Sequence, residues 1–401
     1  EQLNRLSQQV ILKLQELLAA LGYKPKVHFE LEGCFIPAFP GSRVDFSQLN
    51  NTLNKLGISG EIISEYWKNQ WEFVSAFSGQ TPLKEAQNLA QLIQILPELF
   101  KQHSIGKVLI KPVVWSGDRG KLAPDCHNIF SDDRRAVHIP NAIQMNVSLW
   151  EEKSNINMLT RGAFGERLQQ VFIQQSRACS LLFLPEEEAF ERFALKTRYG
   201  LENELCSPND ISGGHQGSVA LYKKLGKHNQ AMGLKTLLVD QHNNAIVSQQ
   251  NWQETTRIEH RLGASSERYN PFINVIFALI GIIEALDKHV EAKDLSSSIL
   301  AEKFMLPSSL YDNNALKCDA NELGALSLFQ KDTWFIKNIN SALRRHGELA
   351  LGVEQKESGL LWPKIKNGQK AELFSTDESR LGEQIHQLIL STYSTPSLVL
   401  N

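Results

Sequence analysis

Arg257-Ile258-Glu259-His260-Arg261, followed by Asn270-Pro271-Phe272 and a long apolar run, is the stretch around which the chain is organised. Read as a strand, it alternates faces, so Arg257, Glu259 and Arg261 point one way and Ile258 and His260 the other. A polar cavity has a use for such a row. The carboxylate can hold a cation, and the arginines can grip anionic oxygens through a bidentate fork. The alternative is a solvated strand edge with a local row of ion pairs.

Two acidic pairs lie upstream. Lys26 to Ile36 reads as a strand, KVHFELEGCFI. Its phasing puts Val27, Phe29, Leu31 and Gly33 on one face and His28, Glu30 and Glu32 on the other. Two carboxylates about 7 Å apart on one face repel unless a cation lies beside them. A bound metal resolves this, and so does an exposed edge strand. Glu65 and Glu72 form the second pair, with Glu72 in the aromatic segment QWEFVSAF, where an unpaired carboxylate is costly to bury. Ala142 to Trp150 reads as a further strand, with Gln144, Asn146 and Ser148 sharing one face. That face is either a hydrogen-bonding surface or a solvent face.

Helical periodicity is expected over residues 2–21, 45–56, 83–103, 162–184, 186–199 and 271–288. Strands are expected over 107–114, 213–225 and 232–240, with residues 116–141 as a loop and an all-helical tail. The chain of 401 residues contains no repeat and no Gly/Ser linker, so the pattern predicts one α+β domain over 1–401. Its sheet-bearing core would run to about residue 290, and its C-terminal third would be helical. A net charge of -2 gives no field that would favour nucleic acid or an anionic membrane. The run from Phe272 to Leu286 is too short to span a bilayer. The start shows no signal-peptide pattern. The five cysteines, Cys34, Cys126, Cys179, Cys206 and Cys318, are widely spaced and form no C-x-x-C pair, which predicts reduced thiols and a cytoplasmic protein.

In combination these segments resemble the catalytic domain of the glutamine synthetase family, from about Gln2 to beyond Leu310. Glu30-Leu31-Glu32 resembles the family's E-x-E strand. Glu65 with Gln70-Trp71-Glu72-Phe73 is similar to its second acidic pair, and Ser148-Leu149-Trp150 to the end of its H-x-H-x-S-L-W strand. Phe190 to Phe193 falls where the family has N-S-Y-[KR]-R, and His228 to Lys235 where it has N-R-S-x-x-x-R. Arg257 to Arg261 with Asn270-Pro271-Phe272 resembles R-x-E-x-R … N-P-Y. Each motif is weak alone, and their shared order carries the resemblance.

The resemblance implies a curved antiparallel sheet with flanking helices and an ATP-dependent carboxylate-amine ligase, with a γ-glutamyl ligase as the leading form. A glutamate-like carboxylate would attack ATP to give an acyl phosphate, which an amine then displaces. Two Mg²⁺ or Mn²⁺ ions are implied, one on Glu32, Glu65 and Glu72, the other on Glu30 and Glu259. Ser148, Trp150 and Arg257 would lie beside the nucleotide. Arg192, Gln144 and Asn146 would contact substrate, and Arg261, Lys235 and Gln230 would face the transferring phosphate. The departures from the family pattern are concentrated at these places. Its two strand histidines are Gln144 and Asn146 here, and its N-G-S-G turn is Pro140-Asn141-Ala142-Ile143. Its two arginines are Gln230, which carries no charge, and Lys235, which lacks the fork. A catalytically degenerate relative that binds nucleotide, metal or a protein partner is therefore the second expectation. A phosphotransferase related through fold only is the third. The family's small β-rich N-terminal domain has no counterpart in this sequence, which predicts that any homo-oligomer differs from the usual dodecamer.

Overall fold

Fifteen residues from Tyr23 to Pro37 form the long strand β1, which follows helix α1 (Gln2–Ala20) directly. The computed structural model describes residues 1–39, 44–65, 69–76, 80–116, 137–190, 219–222, 253, 256–287, 306–313, 322–355, 361–363 and 380–394. Next come α2 (Ser47–Lys55), β2 (Gly60–Ser64), β3 (Gln70–Ser75), α3 (Pro82–Gln102), β4 (Gly106–Leu109), β5 (Val113–Ser116) and β6 (Val137–Pro140). Strands β7 (Ala142–Glu151) and β8 (Ile156–Asn157), helix α4 (Phe164–Ser176), strands β9 (Val219–Tyr222) and β10 (Arg257–Ala264), and helix α5 (Pro271–Asp287) follow. Three further helices, α6 (Ala325–Lys331), α7 (Trp334–Glu348) and α8 (Leu381–Ser394), make up most of the described residues of the C-terminal part.

The main sheet has the strand order β2-β3-β1-β7-β10-β9, with β4 added to β1 and β8 to β7. Every pairing in it is antiparallel. The sheet is curled, with helices against one face. Val27, Phe29 and Leu31 of β1, Trp71 and Phe73 of β3, Met145 and Val147 of β7, and Ile258 and Leu262 of β10 all enter the helical core. Strand alternation then sends the intervening polar side chains to the opposite, concave face.

Helix α5 is the core's axis. From Pro271 to Leu286 all its residues but Glu284 are buried, as a helix apolar on every side requires. It packs against α1, α3, α4 and α7. Its start explains the Asn-Pro pair of the sequence. Asn270 Oδ1 accepts from the backbone N–H of Phe272 at 3.0 Å, and Pro271 occupies the first turn, where its missing N–H costs nothing. A Cβ on Gly281 would lie 2.7 Å from the Phe172 ring, so glycine there lets α4 approach.

Three sequence expectations need correction. Residues 107–114 are not one strand but β4 and β5, because Pro112 has no N–H to continue a ladder. The span 162–184 breaks after Ser176 and resumes as a 3₁₀ turn at Ser180–Leu182. The tail is not all-helical, since β11 (Val353–Gln355) and β12 (Leu361–Pro363) pair as a short ribbon. The strand expected at 232–240 lies outside the described residues, as do most of the loop at 116–141 and the second half of the helix at 186–199. Of the strand expected at 213–225, residues 219–222 are described. Cys34 and Cys179 are buried and form no disulfide. Among the described residues, no helix is long and apolar enough to cross a membrane.

One buried carboxyl makes stability depend on pH. Glu85 of α3 is fully buried, and burial pushes it up to about 8, partly opposed by the Ser75 hydroxyl. Between its ordinary 4.5 and about 8, the folded chain then binds a proton that the unfolded chain releases. Stability therefore falls as pH rises through that window. Glu85→Gln keeps the shape and removes the titration. Thermal unfolding from pH 5 to 9 is expected to show a flatter alkaline limb in the variant. Equal slopes in the two proteins would contradict this origin.

Candidate active site

Register carries the predicted side chains onto the concave face. Glu32 of β1 lies directly across from Glu72 of β3. Glu30 pairs with Gln144 of β7, and Asn146 stands between His28 of β1 and Glu259 of β10. Lys26 pairs with Ser148. From the β3 end toward the far end of β1, the groove thus runs from carboxylates, through a mixed centre, to cations.

The acidic end is built by a hairpin. Asn69 adopts a left-handed φ of 63°, a conformation that Asn tolerates, and Glu65 N–H donates to Gln70 O at 3.0 Å. This returns the chain so that Glu65 faces Glu72. One carboxylate oxygen from each of Glu32, Glu65 and Glu72 lies within 4.8 Å of the others. Burial, and then the charges of Glu30, Glu32, Glu65 and Glu259, push Glu72 well above the usual carboxylate range. Glu32 is braced from the other side, where Ala142 N–H donates to its Oε2 at 2.7 Å and Gln144 Nε2 to its Oε1 at 3.3 Å.

At the centre, two amides on β7 act as cross-links. Asn146 Nδ2 donates to Glu30 Oε1 at 3.1 Å, while its Oδ1 accepts from Arg257 Nε at 2.7 Å. Gln144 Nε2 faces Glu32, and its Oε1 accepts from Arg261 Nε at 3.3 Å. Each amide therefore turns its donor to a carboxylate and its acceptor to a guanidinium, the one orientation that satisfies both neighbours. The arginines also converge on Glu259. Arg257 Nη2 lies 2.8 Å from Oε2, and Arg261 Nε lies 2.6 Å from Oε1. The Arg261 Nε proton points at Gln144, so charge rather than an aligned hydrogen bond holds that second contact. Glu30 is pushed up to about 7 by burial first and Glu259 second, with Arg257 and Arg261 opposing.

At the basic end, Lys26 Nζ sits 4.1 Å over the Trp150 ring. His28 is lowered to about 4, by burial first and then by Lys26, so it is neutral at physiological pH. His260, on the other face, is core. Phe172, Phe183 and Phe277 surround it, and burial lowers it to about 3.

No family model and no curated protein matches the sequence. Solved structures do match. One is a crystal structure of a novel glutamine synthase homolog, at TM-score 0.50 and 14% identity, with 87% of this chain and 72% of that chain covered. The chain has a glutamine synthetase-like fold. Two others are GmaS in an ADP complex (TM-score 0.48, 12% identity, 84% and 70% covered) and GmaS without ligand (0.47, 11%, 98% and 75%).

In this glutamine synthetase-like groove, the structure brings together Glu30, Glu32, Glu65, Glu72, Gln144, Asn146, Arg257, Glu259 and Arg261, with Ser148 and Trp150 toward the basic end. Arg192, Gln230 and Lys235 lie outside the described residues. The donor set Glu32, Glu65 and Glu72, all hard oxygen, fits Mg²⁺ or Mn²⁺. The centre fits a second ion poorly, because guanidinium groups already contact both Glu259 oxygens. Sequence reasoning assigned no role to Lys26, His28 or Asn141. Strand phase already put His28 on the face of Glu30 and Glu32, and the same phase extends to Lys26. Asn141 is buried in the turn that leads into β7. Its side chain accepts from Gln70 Nε2 at 3.1 Å and donates to Lys111 O at 3.0 Å, which fixes the turn that presents Ala142 N–H to Glu32. No spacing in the sequence signals that.

Proposed function

We propose that the chain is an ATP-dependent carboxylate-amine ligase of the glutamine synthetase type, acting on a glutamate-like acid and an amine. The observation that carries this reading is the polarity of the groove, with three clustered carboxylates at one end, Arg257 and Arg261 at the centre, and Lys26 at the other end. Such a gradient suits a polyphosphate chelated to a divalent cation at its reacting end. Glu32, Glu65 and Glu72 would hold the cation, Mg²⁺ or Mn²⁺, which supplies charge neutralisation at the phosphate oxygens.

The chain's own residues then bind and orient. Trp150 and Ser148 offer a surface and a hydroxyl for the nucleotide, and Arg257 offers charge to its phosphates. Arg261, braced by Gln144 and Glu259, faces the transferring phosphoryl group, where fixed positive charge lowers the barrier. The γ-carboxylate oxygen bonds to the terminal phosphorus as the bond to ADP breaks. The amine nitrogen next bonds to the acyl carbon, phosphate leaves, and the amine gives up one proton. Arg192 is the proposed partner of the substrate's α-carboxylate, with Lys235 and Gln230 near the phosphate.

A non-catalytic, nucleotide-binding relative is the competing reading. The observation in its favour is that Gln144 and Asn146 stand where the family has histidines and are tied at both ends of their amides. Purified protein with ATP, Mg²⁺ or Mn²⁺, and a panel of amino acids and amines is expected to release ADP in an amine-dependent way. Binding of ATP·Mg²⁺ in calorimetry without turnover would favour the non-catalytic reading. Absence of both would overturn the ligase.

A further inference from the structure

We infer that the nucleotide-free chain holds a single divalent cation, on Glu32, Glu65 and Glu72, and that a guanidinium clamp closes the position where the family takes a second. This rests on the proposal that the acidic cluster binds a metal, and it departs from the paired ions that the resemblance implies.

Two neighbouring sets of side chains differ in their balance of charge. In the first, three carboxylates bring oxygens within 4.8 Å of one another, and the charges that disturb Glu72 are those of other carboxylates. Like charges held this close gain most from a cation. In the second set, the carboxyl groups of Glu30 and Glu259 face the two permanent positive charges of Arg257 and Arg261, which already offset the negative charge they carry. The guanidinium nitrogens lie 2.8 and 2.6 Å from the two oxygens of Glu259. A dication entering there would displace both contacts and stand beside two permanent positive charges.

The amides close the remaining route. An imidazole at residue 144 would offer a lone pair to a metal, whereas Gln144 turns its nitrogen to Glu32 and gives its oxygen to Arg261 Nε. Asn146 does the same between Glu30 and Arg257. An amide nitrogen is a donor and no metal ligand. Releasing either amide oxygen toward a metal would cost an arginine one of its partners and unbrace a carboxylate. The clamp thus places fixed charge where the family places a second ion, and any anion bound at the centre would meet guanidinium first.

The test is an ion count that does not depend on activity. The full chain, free of nucleotide, is titrated with Mn²⁺, and bound ions are counted by electron paramagnetic resonance. One ion per chain is expected, with the spectrum of an isolated centre. Its affinity is expected to fall at least about tenfold in Glu72→Gln and to stay within about threefold in Glu259→Gln. Two ions per chain, or the spin-spin broadening of a close pair, would overturn this inference and leave the proposed metal reading intact. So would loss of the ion in Glu259→Gln with retention in Glu72→Gln. No bound Mn²⁺ at all would overturn both. The wild-type count decides even where a variant fails to fold.

Discussion

Arg261→Met is expected to lower ADP-forming turnover by roughly 10²–10³-fold and to cost about 3 kcal/mol of stability. Two separate losses combine in it. The first is the charge facing the transferring phosphate under the proposed ligase reading. The second is structural, because Glu259 is buried and Arg261 is one of its two cations. Breaking a buried pair by deleting one partner costs about 3–5 kcal/mol, and the surviving Arg257 contact keeps the figure at the low end. Arg261→Lys separates the two effects. It keeps the charge near Glu259 but loses the planar link to Gln144, so most of the stability should return while turnover stays low. Urea unfolding beside steady-state rates would check this. An Arg261→Met protein as stable as wild type would contradict the clamp.

Glu72→Gln is expected to act in opposite directions with and without metal. Without metal, Glu72 is a strained carboxylate, raised by burial and by four like charges. A raised carboxyl binds protons more tightly when folded, so it erodes stability as pH climbs through its titration. The amide removes that loss, and the metal-free variant should gain about 1 kcal/mol at pH 8 and less at pH 5. Saturating Mn²⁺ reverses the order. Wild type gains stability from ligand binding, at roughly 2.7 kcal/mol for a concentration 100 times Kd, and the variant forfeits most of it. Melting curves at pH 8 with and without Mn²⁺ should therefore cross. A variant less stable than wild type in both conditions would rule out the cost of burying a repelled charge as the main force on Glu72.

Much of this arrangement was legible in the sequence because strands have a period of two. The phase of KVHFELEG put Glu30 and Glu32 on one face, and the phase of RIEHR put Arg257, Glu259 and Arg261 together while sending His260 into the core. The Asn270-Pro271 start of α5 was legible for a similar reason, since a cap and a first-turn proline act within a few residues. What the sequence did not reveal depends on distant partners. Gln144 and Asn146 read as a hydrogen-bonding face, but their division of labour is set by β1 on one side and β10 on the other. Glu85 sat in an unremarked helical turn, and its burial follows from how α3 meets the sheet. Lys26 lies over Trp150 because β1 and β7 pair in one register, and a slip of one residue would part them.

The helical layer has a consequence for how the molecule is made. Helix α1, built from residues 2–20, packs against α5, α7 and α8, and Glu16 meets His346 at 2.6 Å. Contacts that join residues some 330 positions apart form late, because a long loop must close before they repay its entropy. Until α7 arrives, an apolar flank of α5 lacks part of its cover, and the unfinished chain exposes the kind of surface that aggregates or recruits chaperones. A chain cut near residue 290 is expected to lose stability, since α1 would be parted from α7 and α8. Among the described helices, the first and the last in the sequence meet.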